Sequence, residues 1–110
     1  MSIASDLIRG NTDTIILANL EHADSYGYKI NKTVNTITEG EYEFKEATLY
    51  SAFKRLEESG CIESYWGDEN TAARRRYYRI TKRGRMVLET LRKEWISSRD
   101  MINKLVCDGE

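Results

Sequence analysis

A chain of 110 residues with 40% apolar and 32% charged side chains has room for one domain with an adequate core, and its short apolar runs exclude a membrane-spanning helix. Two cysteines, Cys61 and Cys107, and a single histidine, His22, leave little material for a disulfide framework, a metal centre or a Cys–His catalytic pair. A net charge of −1 argues against nucleic acid only on average: seven basic residues and no acidic one lie between Asn70 and Leu88, whereas Glu39 to Glu46 holds four glutamates and one lysine.

The opening Met1-Ser-Ile-Ala-Ser-Asp6 lacks a basic start ahead of an apolar block, so a cytoplasmic protein is expected. Ser5 or Asp6 is placed to cap a first helical segment containing Leu7 and Ile8. Gly10-Asn11 weakens it, Thr12-Asp13 can restart it, and Ile15, Ile16, Leu17 and Leu20 carry it to about His22, where a partial positive charge suits a helix end. Asp24-Ser25 is expected to cap a second helix with Tyr26, Ile30, Val34 and Ile37 on its apolar stripe, and Gly40 to stop it. Tyr26 and Tyr28 are read as packing residues. Glu41 to Lys45 is a linker, with Glu46 in the first turn of a third helix.

That third helix buries Leu49, Phe53 and Leu56, at i, i+4 and i+7. At 100° per residue, Ala47, Ser51 and Lys54 then face outward, flanked by Tyr50 and Arg55. A face of small residues, hydroxyls and long cations can enter a DNA groove; it can equally be a solvated surface. Gly60 ends the helix. Cys61 to Trp66 reads as a strand with Cys61 as a small core hydrophobe, Gly67-Asp-Glu-Asn70 as turn chemistry, and Arg75 to Ile80 as the returning strand. Alternation puts Tyr78 and Ile80 toward the core and Arg75, Tyr77 and Arg79 on the other face. The hairpin projects and its tip ends in Arg74-Arg75-Arg76, which makes it a basic wing.

Thr81 is expected to cap a last helix from Lys82 to about Val106, with Cys107 in a fraying tail. Leu88, Trp95 and Ile102 are seven apart, and Leu91, Ser98 and Leu105 interleave with them in a heptad pattern. A helix of about 25 residues is about 37 Å long, more than this body needs. Its far half is therefore expected to pair with its copy in a second subunit or to pack under that subunit's first helix, the alternative being a helix folded back on its own domain. The resulting fold class is mainly α with a small β-hairpin: a winged helix-turn-helix over residues 1–81 and a dimerisation helix over 82–110.

Taken in order, Tyr26-Gly-Tyr28, Ala47-Thr-Leu-Tyr50, Lys54-Arg-Leu-Glu57, Gly60-Cys-Ile-Glu63, Arg74-Arg-Arg-Tyr-Tyr-Arg-Ile-Thr81, Gly84 and Trp95 resemble the PadR family of bacterial transcription regulators over nearly the whole chain, in its subgroup with a short, single C-terminal helix. The resemblance implies a homodimeric regulator, a repressor by family habit, that binds a pseudo-palindromic promoter operator in double-stranded DNA through its third helices and wings. Thr48, Tyr50, Ser51, Lys54, Arg74, Arg75 and Arg76 are the expected DNA residues. Tyr50 has a rival role, its ring wedged against the body and only its hydroxyl exposed. Leu88, Leu91, Trp95, Ile102 and Leu105 are the expected dimer interface.

In multidrug-binding members of the family, the tryptophan aligned with Trp95 stacks planar aromatic drugs across the dimer. That implies an effector site at Leu88, Leu91, Arg92 and Trp95, although Trp95 suits plain interface packing as well. Arg92 and Arg99 stand where those members carry an aromatic and an acidic residue, so an anionic or neutral aromatic is expected rather than a cation. No phosphate loop, metal set or nucleophile–base pair is present, so no enzyme activity, metal or cofactor is expected. The competing class is a winged helix that binds proteins instead of DNA.

Overall fold

The computed structural model describes residues 3–67 and 74–107. The expected tip residues Asp68, Glu69 and Asn70 lie outside them. Among the described residues, five helices and one hairpin follow in the order α1 (Ile3–Gly10), α2 (Thr12–Leu20), α3 (Gly27–Ile37), α4 (Glu46–Glu58), β1 (Ile62–Trp66), β2 (Arg76–Ile80) and α5 (Lys82–Val106). Among the described residues no helix is long and apolar enough to cross a membrane.

The break between α1 and α2 falls where Gly10-Asn11 predicts it. The Asn11 amide donates to the Leu7 carbonyl at 2.8 Å and Thr12 Oγ1 to the Arg9 carbonyl at 2.5 Å, so these polar side chains close α1 rather than cap α2. Asp6 lies in the first turn of α1, not at its cap. His22 is exposed just beyond α2. The expected Asp24-Ser25 cap of α3 does not form. The extended N-cap is Tyr26, because Ser25 pairs backbone to backbone with Tyr78 (Ser25 N to O at 3.2 Å, Tyr78 N to O at 2.8 Å) and Asp24 accepts from the Tyr65 hydroxyl at 2.6 Å.

Helix α3 ends in a left-handed turn, but Glu39, at φ 54°, takes the first left-handed position and Gly40, at φ 82°, the second. Gly40 N reaches the Asn35 carbonyl and Glu39 N that of Thr36, which satisfies the last carbonyls. Ile30 and Val34 are buried as the stripe requires, whereas Ile37 is 76% exposed at the helix end. The following linker is held by Asn31, whose amide donates to the Phe44 carbonyl at 2.8 Å while its Oδ1 accepts from Phe44 N at 2.7 Å. Phe44, which the pattern leaves in a loop, is thereby pinned into the core.

Helix α4 buries Leu49, Ala52, Phe53 and Leu56. At its end Gly60, at φ 79°, supplies the left-handed residue: Cys61 N bonds the Leu56 carbonyl at 2.9 Å and Gly60 N that of Glu57 at 3.0 Å. The chain enters β1 directly, with Cys61 buried just ahead of the strand. The strands pair antiparallel, Ile62 opposite Ile80 and Trp66 opposite Arg76. Tyr78 and Ile80 reach the core, where the Tyr78 ring stacks on Phe53 at 4.0 Å between centroids. Burial pushes the Tyr78 phenol pKa up.

Thr81 caps α5 as predicted, its Oγ1 accepting from Gly84 N at 3.0 Å. Gly84 is where α5 crosses the start of the wing. A Cβ there would overlap the Cys61 carbonyl oxygen and lie 2.8 Å from Ile80 Cγ1. Gly84→Ala gains about 0.8–1 kcal/mol of helix propensity. Overpacking against a backbone carbonyl costs about 3 kcal/mol, the upper end of its usual range, so stability in urea titration is expected to fall by about 2 kcal/mol net. Leu88 closes the core, and farther along the helix Trp95, Ile96, Met101, Ile102, Leu105 and Val106 are exposed in the single chain.

Candidate nucleic-acid interface

Burying Leu49, Phe53 and Leu56 turns Ala47, Ser51 and Lys54 outward, and all of them are exposed. Thr48 is half-buried beside them. Tyr50 is 57% exposed while its ring leans edge-on against Phe53 at 6.1 Å, so it presents far more than its hydroxyl. Arg55, on the flank of this face, is bound by Asp13 of α2 through Nε (3.2 Å) and Nη2 (2.5 Å). That hydrogen-bonded carboxylate raises the guanidinium pKa. Arg55 thus ties α4 to α2 and is engaged within its own chain.

The wing arginines part company. Arg74 lies over the Trp66 ring at 5.0 Å and Arg75 over the Tyr26 ring at 4.6 Å. Arg76 turns back toward α4, where Nη2 donates to Ser64 Oγ at 2.7 Å and lies 3.4 Å from Glu57 Oε2; Ser64 in turn donates to the same carboxylate at 2.6 Å. Part of the Arg76 charge is therefore compensated within the chain. Arg79, lower on the strand, pairs with its cross-strand neighbour Glu63 at 3.2 Å and lies over Tyr65. The run of cations in the sequence is a narrower cationic edge in the fold, concentrated toward the wing's free end.

An open cleft joins the two surfaces. It is lined by Tyr28 of α3 and Tyr50 of α4, by Trp66 and Arg74 to Arg76 of the wing, and by Tyr26-Gly27. Tyr28, read as a packing residue, is 67% exposed at this rim. Its position in the first turn of α3, two residues before Ile30 and so on the side of the helix away from the Ile30–Val34 stripe, is the signal that could have assigned it. Trp66 is exposed because the hairpin leaves the body as it lengthens: Ile62 is buried, Ser64 half-buried and Trp66 exposed on the same strand face.

The second expected site lies along α5. Leu88 is 1% exposed, packed into the core of its own chain, so it faces neither a ligand nor a partner. Leu91 is half-buried, and Trp95 is 39% exposed over a shallow apolar trough of Leu7, Ile8 and Ile15. Arg92 does not point into free space beside it. Its guanidinium grips Glu21 at the end of α2 through two bonds of 2.8 and 3.3 Å, and that grip lowers the Glu21 pKa. Arg99 is likewise paired with Asp100 at 3.0 Å. Both arginines expected to repel cationic ligands thus carry a carboxylate partner, and the charge argument for an anionic effector falls away. Among the described residues no grouping of His, Cys, Asp and Glu could hold a metal ion.

An amphipathic α4 with an exposed small-and-cationic face, flanked by a two-stranded hairpin with arginines at its edge, defines a winged helix-turn-helix protein of the DNA-binding class. Residues 16–90 match the model of the transcriptional regulator PadR-like family, and the chain belongs to that family. Among solved structures it resembles a transcriptional regulator from Clostridium thermocellum, with 50% identity, a TM-score of 0.86 and coverage of 96% of this chain and 99% of that one. A PadR family transcription regulator from Clostridium difficile is 35% identical at a TM-score of 0.75, covering 87% and 98% of the two chains. An uncharacterized protein of Lysinibacillus sphaericus is 43% identical over 101 residues, 92% of this chain and 93% of its own. The protein is a DNA-binding transcriptional regulator by class and not an enzyme.

Proposed function

We propose that this protein is a homodimeric repressor that binds a pseudo-palindromic operator in promoter DNA, acting in the cytoplasm. Helix α4 enters the major groove with Ser51 and Lys54 toward base edges, Thr48 and Tyr50 meet the adjoining backbone, and Arg74 and Arg75 carry the wing onto the next stretch of phosphates or into a narrow minor groove. The observation that carries this reading is the cleft that the exposed Tyr50 of α4 shares with Arg74 and Arg75 of the wing. Two such units need a two-fold partner to read a symmetric site, and the exposed apolar side of α5 supports that pairing. The open trough beside Trp95 supports the finer reading that a planar aromatic molecule docks there and releases the operator.

The test is fluorescence anisotropy of a labelled duplex from the region upstream of the protein's own gene, titrated at several salt concentrations. Tight, sequence-selective binding with a steep salt slope is expected, and planar aromatic compounds can be screened for release in the same assay. Lys54→Ala should weaken the operator by about 1–3 kcal/mol and leave random duplex little changed. Arg75→Ala should weaken both together. Unchanged affinity in both variants sinks the groove assignment. Absence of any salt-dependent duplex binding would instead favour a winged helix that binds proteins.

A further inference from the structure

The backbone pairing of Ser25 with Tyr78 has a consequence for Arg75. An antiparallel bridge at that pair places Tyr26 beside Tyr77, on the strand face that alternation assigns to Arg75, Tyr77 and Arg79. The rings meet accordingly. Tyr26 stands edge-on to Tyr77 at 5.1 Å, Tyr77 stacks on Tyr65 at 5.7 Å, and the Tyr65 hydroxyl is fixed by Asp24 at 2.6 Å. This row of rings joins the wing to the chain just before α3. Arg75 ends the row, its guanidinium 4.6 Å above the Tyr26 ring, and its own carbonyl accepts from Gly67 N at 2.8 Å.

We infer that Tyr26 is a positioning residue for DNA binding: its ring holds the Arg75 guanidinium in place, so that the wing meets the phosphate backbone with that cation already ordered. The inference rests on the DNA-binding reading above and adds to it a residue that touches no DNA. A guanidinium lying flat on a ring keeps its N–H edge available for phosphate oxygens, and ordering it beforehand removes part of the entropy cost of binding.

The measurement is duplex affinity at one fixed salt concentration for Tyr26→Leu, Tyr26→Phe, Arg75→Ala and the Tyr26→Leu/Arg75→Ala pair, with thermal melting followed by circular dichroism. Tyr26→Leu should bind roughly fivefold more weakly, and Tyr26→Phe, which keeps the ring face, should stay within roughly twofold of the parent. On the Arg75→Ala background, Tyr26→Leu should add no further loss, because the cation it positions is gone. Tyr26→Met, which keeps bulk without a ring, takes the place of Tyr26→Leu should that variant fail to melt cooperatively. An equal loss with and without Arg75 would overturn the inference, since a displaced wing misplaces every arginine. So would Tyr26→Phe binding as weakly as Tyr26→Leu. If Arg75→Ala itself leaves affinity unchanged, the wing contact fails and the inference fails with it, an outcome distinct from additivity.

Discussion

Trp95→Asp combined with Ile102→Asp is expected to leave a folded monomer that binds the operator about 100- to 10,000-fold more weakly than the parent. Both side chains are exposed in the single chain and seven residues apart on α5, where Met101, Leu105 and Val106 extend the apolar surface. Trp95 covers only the shallow trough of Leu7, Ile8 and Ile15, and neither residue belongs to the buried core, which Leu88 closes from the same helix. In a dimer both positions would be covered, and an unpaired carboxylate in a covered apolar seam costs several kcal/mol per pair of copies. The loss of affinity follows from arithmetic rather than from any lost DNA contact. Joined half-sites convert the second binding event into an intramolecular one, and a monomer forfeits that gain. Light scattering after size exclusion gives the mass, and the anisotropy assay gives the affinity. A variant that remains dimeric would move the interface away from this face of α5.

Much of this architecture is legible in the sequence because it is locally encoded. Thr81 caps α5, Gly60 turns α4 into the hairpin, Gly10-Asn11 breaks the first helix, and the spacing of Leu49, Phe53 and Leu56 fixes which face of α4 looks outward. What escapes the pattern depends on partners distant in the chain. Asp24-Ser25 has the chemistry of a helix cap, yet the strand partner Tyr78 claims Ser25 and Tyr65 claims Asp24. Phe44 belongs to the core because of Asn31, thirteen residues earlier. In the site, the outward direction of Lys54 follows from helical period alone, but the fates of Arg76 and Arg92 do not. Glu57 and Glu21 take them up across 19 and 71 residues of chain. A run of basic letters therefore overstates the cations on offer, and only the fold separates those lying over rings from those held by carboxylates.

That separation makes the wing's salt dependence informative. Replacing Arg74, Arg75 and Arg76 together with Ala should lower operator affinity on the order of a thousandfold at moderate salt and flatten the salt slope. If all three gripped phosphates on both wings, six contacts would vanish and the slope would fall by about 5.4. Arg76, however, donates to Ser64 and lies against the Glu57 carboxylate, whereas Arg74 and Arg75 lie over the Trp66 and Tyr26 rings. Four contacts per dimer then vanish, and the expected fall is about 3.6. A companion Arg76→Ala variant should change the slope little while lowering stability by about 0.5–1.5 kcal/mol, because it strips a donor from the partly buried Ser64–Glu57 pair. A fall near the larger value would place Arg76 on the DNA and require Glu57 to release it on binding. No change in slope would take the wing off the DNA altogether, leaving α4 as the sole contact.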